Sequence, residues 1–192
     1  MPAKVIGPRD KRKKLPDDSI LIYTVSRASD WSRGLSPFFC GPVNLYGGYI
    51  AKSVENAWQF SKVYEQHIDV NGDPTAEYFE WAKKGWNDTM AHRYPIGKGA
   101  KPEYSWWDGE KLGYIEARKK IYVPLYARAV RKTVAYKKLC GLYDAGENLY
   151  LCDFDGYDHE AMGMSMMDVI NNDKRPMGHA FILKRMLDKG TR

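Results

Sequence analysis

Three polar side chains, Glu55, Gln59 and Lys62, interrupt the largely apolar segment SVENAWQFSK over residues 53–62. Successive residues of a helix are about 100° apart around its axis, so a helix here would place all three on one narrow face. A carboxylate and an amine on one face are the groups that acid–base and nucleophilic chemistry use. Burying them without partners is costly. The stripe therefore either lines a cleft where a ligand uses it or forms an ordinary exposed edge.

The flanking sequence supplies the elements that would position this stripe. Ser53 suits the N-cap of a helix with Glu55 in its first turn, where the positive helix end favours a carboxylate. We predict that this helix continues to about Gln66. Ahead of it, VNLYGGYIAKS (43–53) has the pattern of a hairpin around Gly47-Gly48.

Strand-like and helix-like segments follow one another along the remaining chain. We expect strands at 20–25 and 149–154, a loop over 94–111, and helices over 75–91, 112–139 and 178–188, with Pro124 marking a break or a new start. No repeat or linker divides them. They predict a single compact α+β domain over residues 19–192, mostly helical with a small sheet and hairpin, after a basic segment, 1–18, without fixed structure.

Composition narrows the class of protein. The chain has 192 residues, is 44% hydrophobic and carries a net charge of +6, so an acidic partner such as nucleic acid or a phosphate-bearing metabolite is plausible. Three widely spaced cysteines favour a reducing compartment, and the histidines show no metal-ligand spacing. Neither a secretory leader nor a stretch of ~20 apolar residues is present. We expect a cytoplasmic protein that binds neither metal nor membrane.

Two longer segments carry a family resemblance. LSPFFCGPVNLYGGYIAKSVENAWQFSKVY (35–64) and GMSMMDVINNDKRPMGHAFILKRML (163–187) resemble the opening and closing elements of the NADAR family, also called YbiA-like. The first has a turn like LSNF, a glycine hairpin and a helix similar to S-x-E-x-x-x-Q-x-x-K. The second has a glycine-containing loop and a helix like LG-x-x-LM-x-x-R-x-x-L. The matching positions are Ser53, Glu55, Gln59, Lys62, Met177-Gly178, Phe181-Ile182, Arg185 and Leu187.

The resemblance implies a NADAR-like fold and a catalytic domain with N-glycosidase (ADP-ribosylglycohydrolase) activity. The expected substrate is ADP-ribosylated guanine, free or in DNA, and the expected reaction hydrolyses the bond between ADP-ribose and the base without a cofactor. This cleavage builds positive charge on the sugar and negative charge on the base, so a carboxylate and a cation or acid must assist it. Glu55 is the candidate carboxylate, Lys62 its cationic or nucleophilic partner, and Gln59 a hydrogen-bonding partner of ribose hydroxyls.

Further candidates come from the turns and loops. Asp153, Asp155 and Asp158 are alternatives for a second carboxylate, of which Asp158 lies nearest the family's Asp-Gly position. Candidate substrate-binding residues are those of the aromatic turn, of the irregular loop, where a tryptophan can stack on a base, and of the two glycine-containing segments. They are Arg33, Ser36, Phe38, Trp107, Gly163 and Gly178.

The sequence is compatible with two other functions. An N-glycosidase acting on small ribosylated metabolites, of the riboflavin-intermediate type, would use the same residues and be indifferent to DNA. A module that binds ADP-ribose or NAD-derived ligands without turnover is the second alternative, since Pro37 replaces the family's usual Asn and DFDGYDHEAMG lacks its Trp. The basic run Lys11–Lys14 can strengthen association with DNA, but no recognition motif of a DNA-binding structural protein is evident. The oligomeric state is not predicted.

Overall fold

The computed structural model describes residues 3–10 and 15–190, which form an α+β fold with three small sheets. The strands are β1 (Lys4–Ile6), β2 (Ser19–Tyr23), β3 (Val43–Asn44), β4 (Ile50–Ala51), β5 (Lys62–Val63), β6 (Tyr104–Trp107), β7 (Glu110–Leu112) and β8 (Asn148–Cys152). The α-helices are α1 (Val54–Gln59), α2 (Ala76–Asn87), α3 (Tyr114–Ala117), α4 (Val123–Val130), α5 (Val134–Asp144), α6 (Met166–Asn171) and α7 (His179–Asp188). None of these helices combines the length and apolar character needed to cross a bilayer.

The main sheet is parallel, with β8 between β1 and β2. Its register pairs Cys152 with both Ile6 and Tyr23, so the three strands end at one edge. Hydrogen bonds extend past that edge, since the Asp153 amide donates to Ile6 O and the Thr24 amide donates to Cys152 O. Ligand sites of open α/β sheets form beyond the carboxyl ends of their strands. The acidic segment after β8 lies at such an edge.

Helix α7 packs under this sheet and carries much of the core. Phe181 and Leu183 are fully buried, and the helix contacts β1, β8 and α4. Its first turn faces the carboxyl edge of the sheet, because the Ala180 amide donates to Asp153 Oδ2 at 3.0 Å. Burial of the apolar face therefore fixes the helix N-terminus beside the acidic segment.

The helix predicted over residues 53–66 ends much earlier than expected. Ser53 caps α1 as predicted, with its hydroxyl accepting from the Asn56 amide at 3.1 Å. However, α1 stops at Gln59, and Lys62 begins β5, which pairs antiparallel with β6. The strand places Val63 in the core. Tertiary pairing with β6 thus replaces the last two helical turns.

Most other predicted elements are present, with three differences. The predicted hairpin is confirmed as β3–β4, and the segments 20–25, 75–91, 149–154 and 178–188 contain β2, α2, β8 and α7. The predicted loop over 94–111 instead holds β6 and part of β7. The helical stretch predicted from 112 is divided at Thr133, which caps α5. The first segment is not structureless throughout, since residues 4–6 form β1; the run 11–14 lies outside the described residues.

Candidate functional site

A cavity of about 260 Å³ opens at the carboxyl edge of the parallel sheet. Helix α1 forms one wall, the segment after β8 forms a second, and the start of α7 forms a third. The turn at 36–38 and the loop containing Arg93 close the remaining sides. Glu55, Gln59 and Lys62 all line this space, so the polar stripe faces the cavity and not bulk solvent.

Gln59 connects Glu55 and Lys62 in a chain of hydrogen bonds. Its Nε2 donates to Glu55 Oε1 at 2.9 Å, and its Oε1 accepts from Lys62 Nζ at 2.7 Å. An amide in this orientation presents its donor to a carboxylate and its acceptor to an ammonium. The chain therefore matches an ionised Glu55 and a charged Lys62. The ammonium also lies 5.1 Å from the centre of the Trp58 ring, a cation–π contact.

Burial shifts the ionisation of both ends of this chain. Glu55 is 5% exposed, and desolvation raises the pKa of its carboxyl, although Gln59 and the charges of Arg93, Lys62 and His179 oppose that shift. Desolvation lowers the pKa of Lys62 to about 8, against the attraction of Glu55. Carboxyl and amine groups tuned in these directions are typical of acid–base sites.

Asp153 and His179 form a second buried pair in the cavity wall. His179 Nδ1 lies 3.1 Å from Asp153 Oδ2, and Nε2 lies 2.6 Å from the carbonyl oxygen of Thr24. The carbonyl can only accept, so this contact requires a proton on Nε2, and a hydrogen bond from Nδ1 to the carboxylate requires a second proton on the ring. Since Asp153 Oδ2 also accepts from the Ala180 amide, its negative charge is well compensated.

Asp155 supplies a third carboxyl group to the cavity. It is half-buried, two residues beyond Asp153 on the segment after β8. Desolvation, and then the charge of Asp153, raise its pKa, while Arg93 and His179 act in the opposite direction. Asp155 is thus a carboxyl group that holds a proton more readily than an exposed aspartate does.

Aromatic rings surround these polar groups. Trp58 lies between Tyr122 and Tyr114, with ring centroids 5.3 and 6.4 Å away. Elsewhere in the wall, the Arg93 guanidinium lies 5.5 Å from the centre of the Phe38 ring. Flat rings beside a few polar groups suit a ligand with an aromatic ring and a polar sugar.

A completely buried asparagine holds the loop that carries Arg93. Asn56 Nδ2 donates to the carbonyls of Asp88 and Met90 at 3.0 and 2.9 Å, and Oδ1 accepts from the His92 amide at 2.9 Å. These bonds join α1 to the segment after α2. The residue that follows Glu55 therefore anchors the loop that supplies Arg93 to the cavity wall.

Arg118 has a comparable role on the side of α7. It is 2% exposed, and Nη1 donates to the carbonyls of Ile170 and Asn172, each at 2.9 Å, while Nη2 reaches the Arg175 carbonyl at 3.3 Å. The guanidinium thereby satisfies carbonyls at the end of α6. It also stacks 4.6 Å from the centre of the Tyr114 ring. The hydrogen bonds of Arg118 thus hold the segment that leads into α7 in place.

The structure brings together part of the predicted site. Ser36, Phe38 and Gly178 line the cavity with Glu55, Gln59 and Lys62. Lys62 reaches it from a strand, although the prediction placed it on the helix.

The remaining predicted residues lie elsewhere. Arg33 stacks over Phe39 at 4.3 Å, and Trp107 packs against Tyr46 with ring centroids 5.0 Å apart. Gly163 occupies an exposed turn with φ of +70°. Asp158 accepts from the Ala161 amide at 3.0 Å and lines a different cavity. Asp153 and Asp155, not Asp158, are therefore the loop carboxylates that lie in the cavity with Glu55.

Sequence reasoning missed several residues of the cavity. Arg93, Tyr94, Tyr114, Arg118, Tyr122 and His179 all line it. The first two lie in a segment without periodicity, and Arg118 lies within a helical stretch where a charged residue suggests a solvent-exposed face. One feature of the sequence could have identified His179 as a cavity residue, namely its position directly after Gly178 in the closing motif. Within residues 3–10 and 15–190, no three His, Cys, Asp or Glu side chains converge as metal ligands.

These features define an α+β protein with a buried carboxylate–amide–amine chain in an aromatic cavity. The polypeptide belongs to a family of unknown function (DUF6939), whose model matches residues 7–183. The match covers every residue that lines the cavity. No curated protein matched the chain, and no solved structure matched it.

Proposed function

We propose that the protein is a NADAR-like N-glycosidase that hydrolyses the bond between ADP-ribose and a guanine base. The observation that carries the proposal is the hydrogen-bonded chain Glu55–Gln59–Lys62 on the wall of an aromatic cavity. These residues are among those on which the resemblance to NADAR proteins rests, and they lie side by side on one wall, where a single ligand can contact all three.

The chemistry assigns different tasks to the two ends of this chain. As the bond from C1 of the ribose to the guanine nitrogen breaks, positive charge develops on the sugar and negative charge on the base. The Glu55 carboxylate stabilises the sugar cation and accepts a proton from the water that adds to C1. Lys62, held by Gln59 and largely charged below its pKa of about 8, stabilises the departing base.

The lining of the cavity supports the same assignment. Gln59 has a polar edge at the sugar position, between the two charged groups. Trp58 and Tyr114 offer rings on which a purine can stack. A guanine leaving group needs a proton, and Asp155, whose pKa is raised by desolvation and by Asp153, is the best-suited donor. Asp155 therefore replaces Asp158 as the second carboxyl group of the proposal.

The test is release of ADP-ribose from an oligonucleotide ADP-ribosylated at guanine. We expect wild type to release it and Glu55→Gln to be slower by at least ~100-fold, the scale of a lost acid–base group. Matched controls are Glu80→Gln and Lys83→Ala, an exposed ion pair on α2, 3.0 Å apart. Both should retain the wild-type rate.

Two other results would replace this proposal with an alternative. Activity on small ribosylated metabolites and none on the oligonucleotide would indicate a metabolite N-glycosidase. Tight binding of ADP-ribose that persists in Glu55→Gln, with no product from any substrate, would indicate a binding module. Well-folded wild type that neither releases nor binds ADP-ribose would reject the ADP-ribose assignment.

A further inference from the structure

A second cavity adjoins the first across a shared wall. Its volume is about 390 Å³, and it extends from the carboxyl ends of β2 and β8 toward the segment after β1. The two cavities have in common Val25, Ser26, Phe38, Arg93, Asp153 and Phe154. A ligand that fills the first cavity and extends past this wall enters the second.

The two cavities differ in character. The first contains the polar chain of Glu55, Gln59 and Lys62. The second lacks it and is bordered by the rings of Tyr23 and Phe154, with the exposed Arg27 at its edge. Phe154 is 59% exposed, a large fraction for a phenylalanine beside a cavity. Exposed rings with a neighbouring arginine are the features that bind a nucleobase and its phosphate.

Arg93 marks the boundary between the cavities. Its guanidinium lies close to two rings, 5.5 Å from the centre of Phe38 and 5.2 Å from that of Phe154. Stacking of this kind leaves the edge of the guanidinium able to bind an anion. Asp153, in the same wall, does not oppose an anion strongly, because His179 and the Ala180 amide compensate its charge. The boundary therefore offers a cation to a phosphate group, with Glu55 and Asp155 as the carboxyl groups that compete for the Arg93 charge.

We propose that the second cavity is a nucleotide subsite, which binds the adenosine half of the ADP-ribosyl group while Arg93 binds its diphosphate. This inference rests on the proposed function for the identity of the ligand, but its test does not need turnover. The order of groups along such a ligand matches the order along the protein: sugar at the Glu55 chain, diphosphate at Arg93, base beside Phe154 and Tyr23.

The experiment is isothermal titration calorimetry with AMP, ADP-ribose and ribose 5-phosphate at one salt concentration. The variant Tyr23→Leu/Arg27→Gln changes side chains that line only the second of the two cavities. We expect it to weaken AMP and ADP-ribose binding by about tenfold or more, the scale of a lost stacking contact, and to leave ribose 5-phosphate binding unchanged. Arg128→Gln, an exposed arginine on α4, controls for the lost charge and should bind all three normally.

Two outcomes would overturn the subsite. One is that AMP fails to bind to wild type. The other is that the double variant weakens ADP-ribose and ribose 5-phosphate equally. A titration with an unmodified single-stranded oligonucleotide distinguishes the source of the nucleotide, since binding of the strand, but not of AMP, in the second cavity would reject the adenosine assignment.

Failure of the subsite is distinguishable from failure of the proposed reaction. If the protein binds AMP as expected but releases no ADP-ribose from the modified oligonucleotide, the subsite stands and the glycosidase proposal fails. If release depends on Glu55 but is insensitive to the double variant and AMP does not bind, the reverse holds.

Discussion

Gly178 and Asp153 are in such close contact that a β-carbon on residue 178 would lie 2.2 Å from Asp153 Oδ2 and 2.7 Å from its Cγ. The backbone at Gly178 has φ of −72°, so the requirement for glycine comes from space and not from backbone conformation. This contact lets the carboxylate reach the Ala180 amide and His179 together. It joins the end of β8 to the start of α7, directly beside the cavity.

Gly178→Ala should therefore destabilise the fold by about 1–3 kcal/mol, as expected for overpacking in a core. Displacing Asp153 should also lower any ADP-ribose affinity by disturbing the cavity wall. Gly141→Ala on α5 is the control, because its β-carbon meets nothing within 4 Å, and alanine in a helix should stabilise by about 0.5–1 kcal/mol. Urea unfolding of both variants measures the difference. A Gly178→Ala protein as stable as wild type would contradict the packing described.

Glu55 and Lys62, the two ends of the hydrogen-bonded chain through Gln59, predict a bell-shaped dependence of activity on pH. Burial raises the pKa of Glu55, so the acid limb should lie above the ordinary range for glutamate. If Lys62 acts as a cation, activity should fall as pH rises through about 8, its pKa. Rates of ADP-ribose release from pH 5 to 10 measure both limbs.

The variant Lys62→Arg provides the control for that profile. Arginine stays charged throughout this pH range, so the fall in activity near pH 8 should disappear, and any alkaline limb that remains belongs to the proposed proton donor, Asp155. A wild-type rate that instead increases through pH 8 would indicate an unprotonated lysine acting as nucleophile.

Glu55→Gln should stabilise the folded protein near neutral pH even as it removes activity. A carboxyl group whose pKa is raised on folding binds its proton more tightly in the folded state, so stability falls as pH rises through the raised pKa. Glutamine lacks this penalty and can still accept the hydrogen bond from Gln59. We expect a higher melting temperature at pH 7, by about 2–4 °C for each kcal/mol gained.

Acid pH supplies the internal control for this prediction. Near pH 4 and below, Glu55 is protonated in the folded state and increasingly so in the unfolded state, so the difference in melting temperature should shrink. Glu80→Gln, on the exposed face of α2, should change little at either pH. A lower melting temperature for Glu55→Gln at pH 7 would mean that the network stabilises the carboxylate more than burial penalises it.

Asn56→Ala should loosen the loop that carries Arg93. It leaves the carbonyls of Asp88 and Met90 and the His92 amide without their partner, at about 1–3 kcal/mol for each group left unpaired and buried. We expect lower stability and a KM that rises more than kcat falls, because Arg93 is assigned to binding. Asn87→Ala, an exposed residue of α2, is the matched control. An unchanged KM would mean that Asn56 does not affect ligand binding.

Variants of Asp155 and Asp158 distinguish the two candidates for the second carboxyl group. If Asp155 is the proton donor, Asp155→Asn should slow release of ADP-ribose by about 100-fold, with Asp158→Asn far less affected. Both variants replace one carboxyl group by an amide in the same short segment, so each controls for the other. Loss of activity in Asp158→Asn alone would mean that Asp158, which the sequence motif favours, is the second carboxyl group, and that Asp155 is not.

Local sequence determined much of the secondary structure. The hydrophobic runs that became β2 and β8, the capping serine of α1 and the glycine pair of the β3–β4 turn are signals that act over a few residues. The stripe of Glu55 and Gln59 was recognisable for the same reason, since residues four apart on a helix must face one way. The end of α1 was not recognisable, because pairing of Lys62 and Val63 with β6 overrides the local helical pattern.

The sequence by itself determined an α+β chain with a polar stripe on an otherwise apolar segment. Only the tertiary structure decided what the stripe faces. Parallel pairing of β1, β8 and β2 brings together segments more than a hundred residues apart, and with them Asp153, Asp155 and His179. Arg93 joins them because Asn56 of α1 holds its loop by hydrogen bonds. Such contacts depend on long-range packing and hydrogen bonding between segments, and no periodicity within a single segment encodes them.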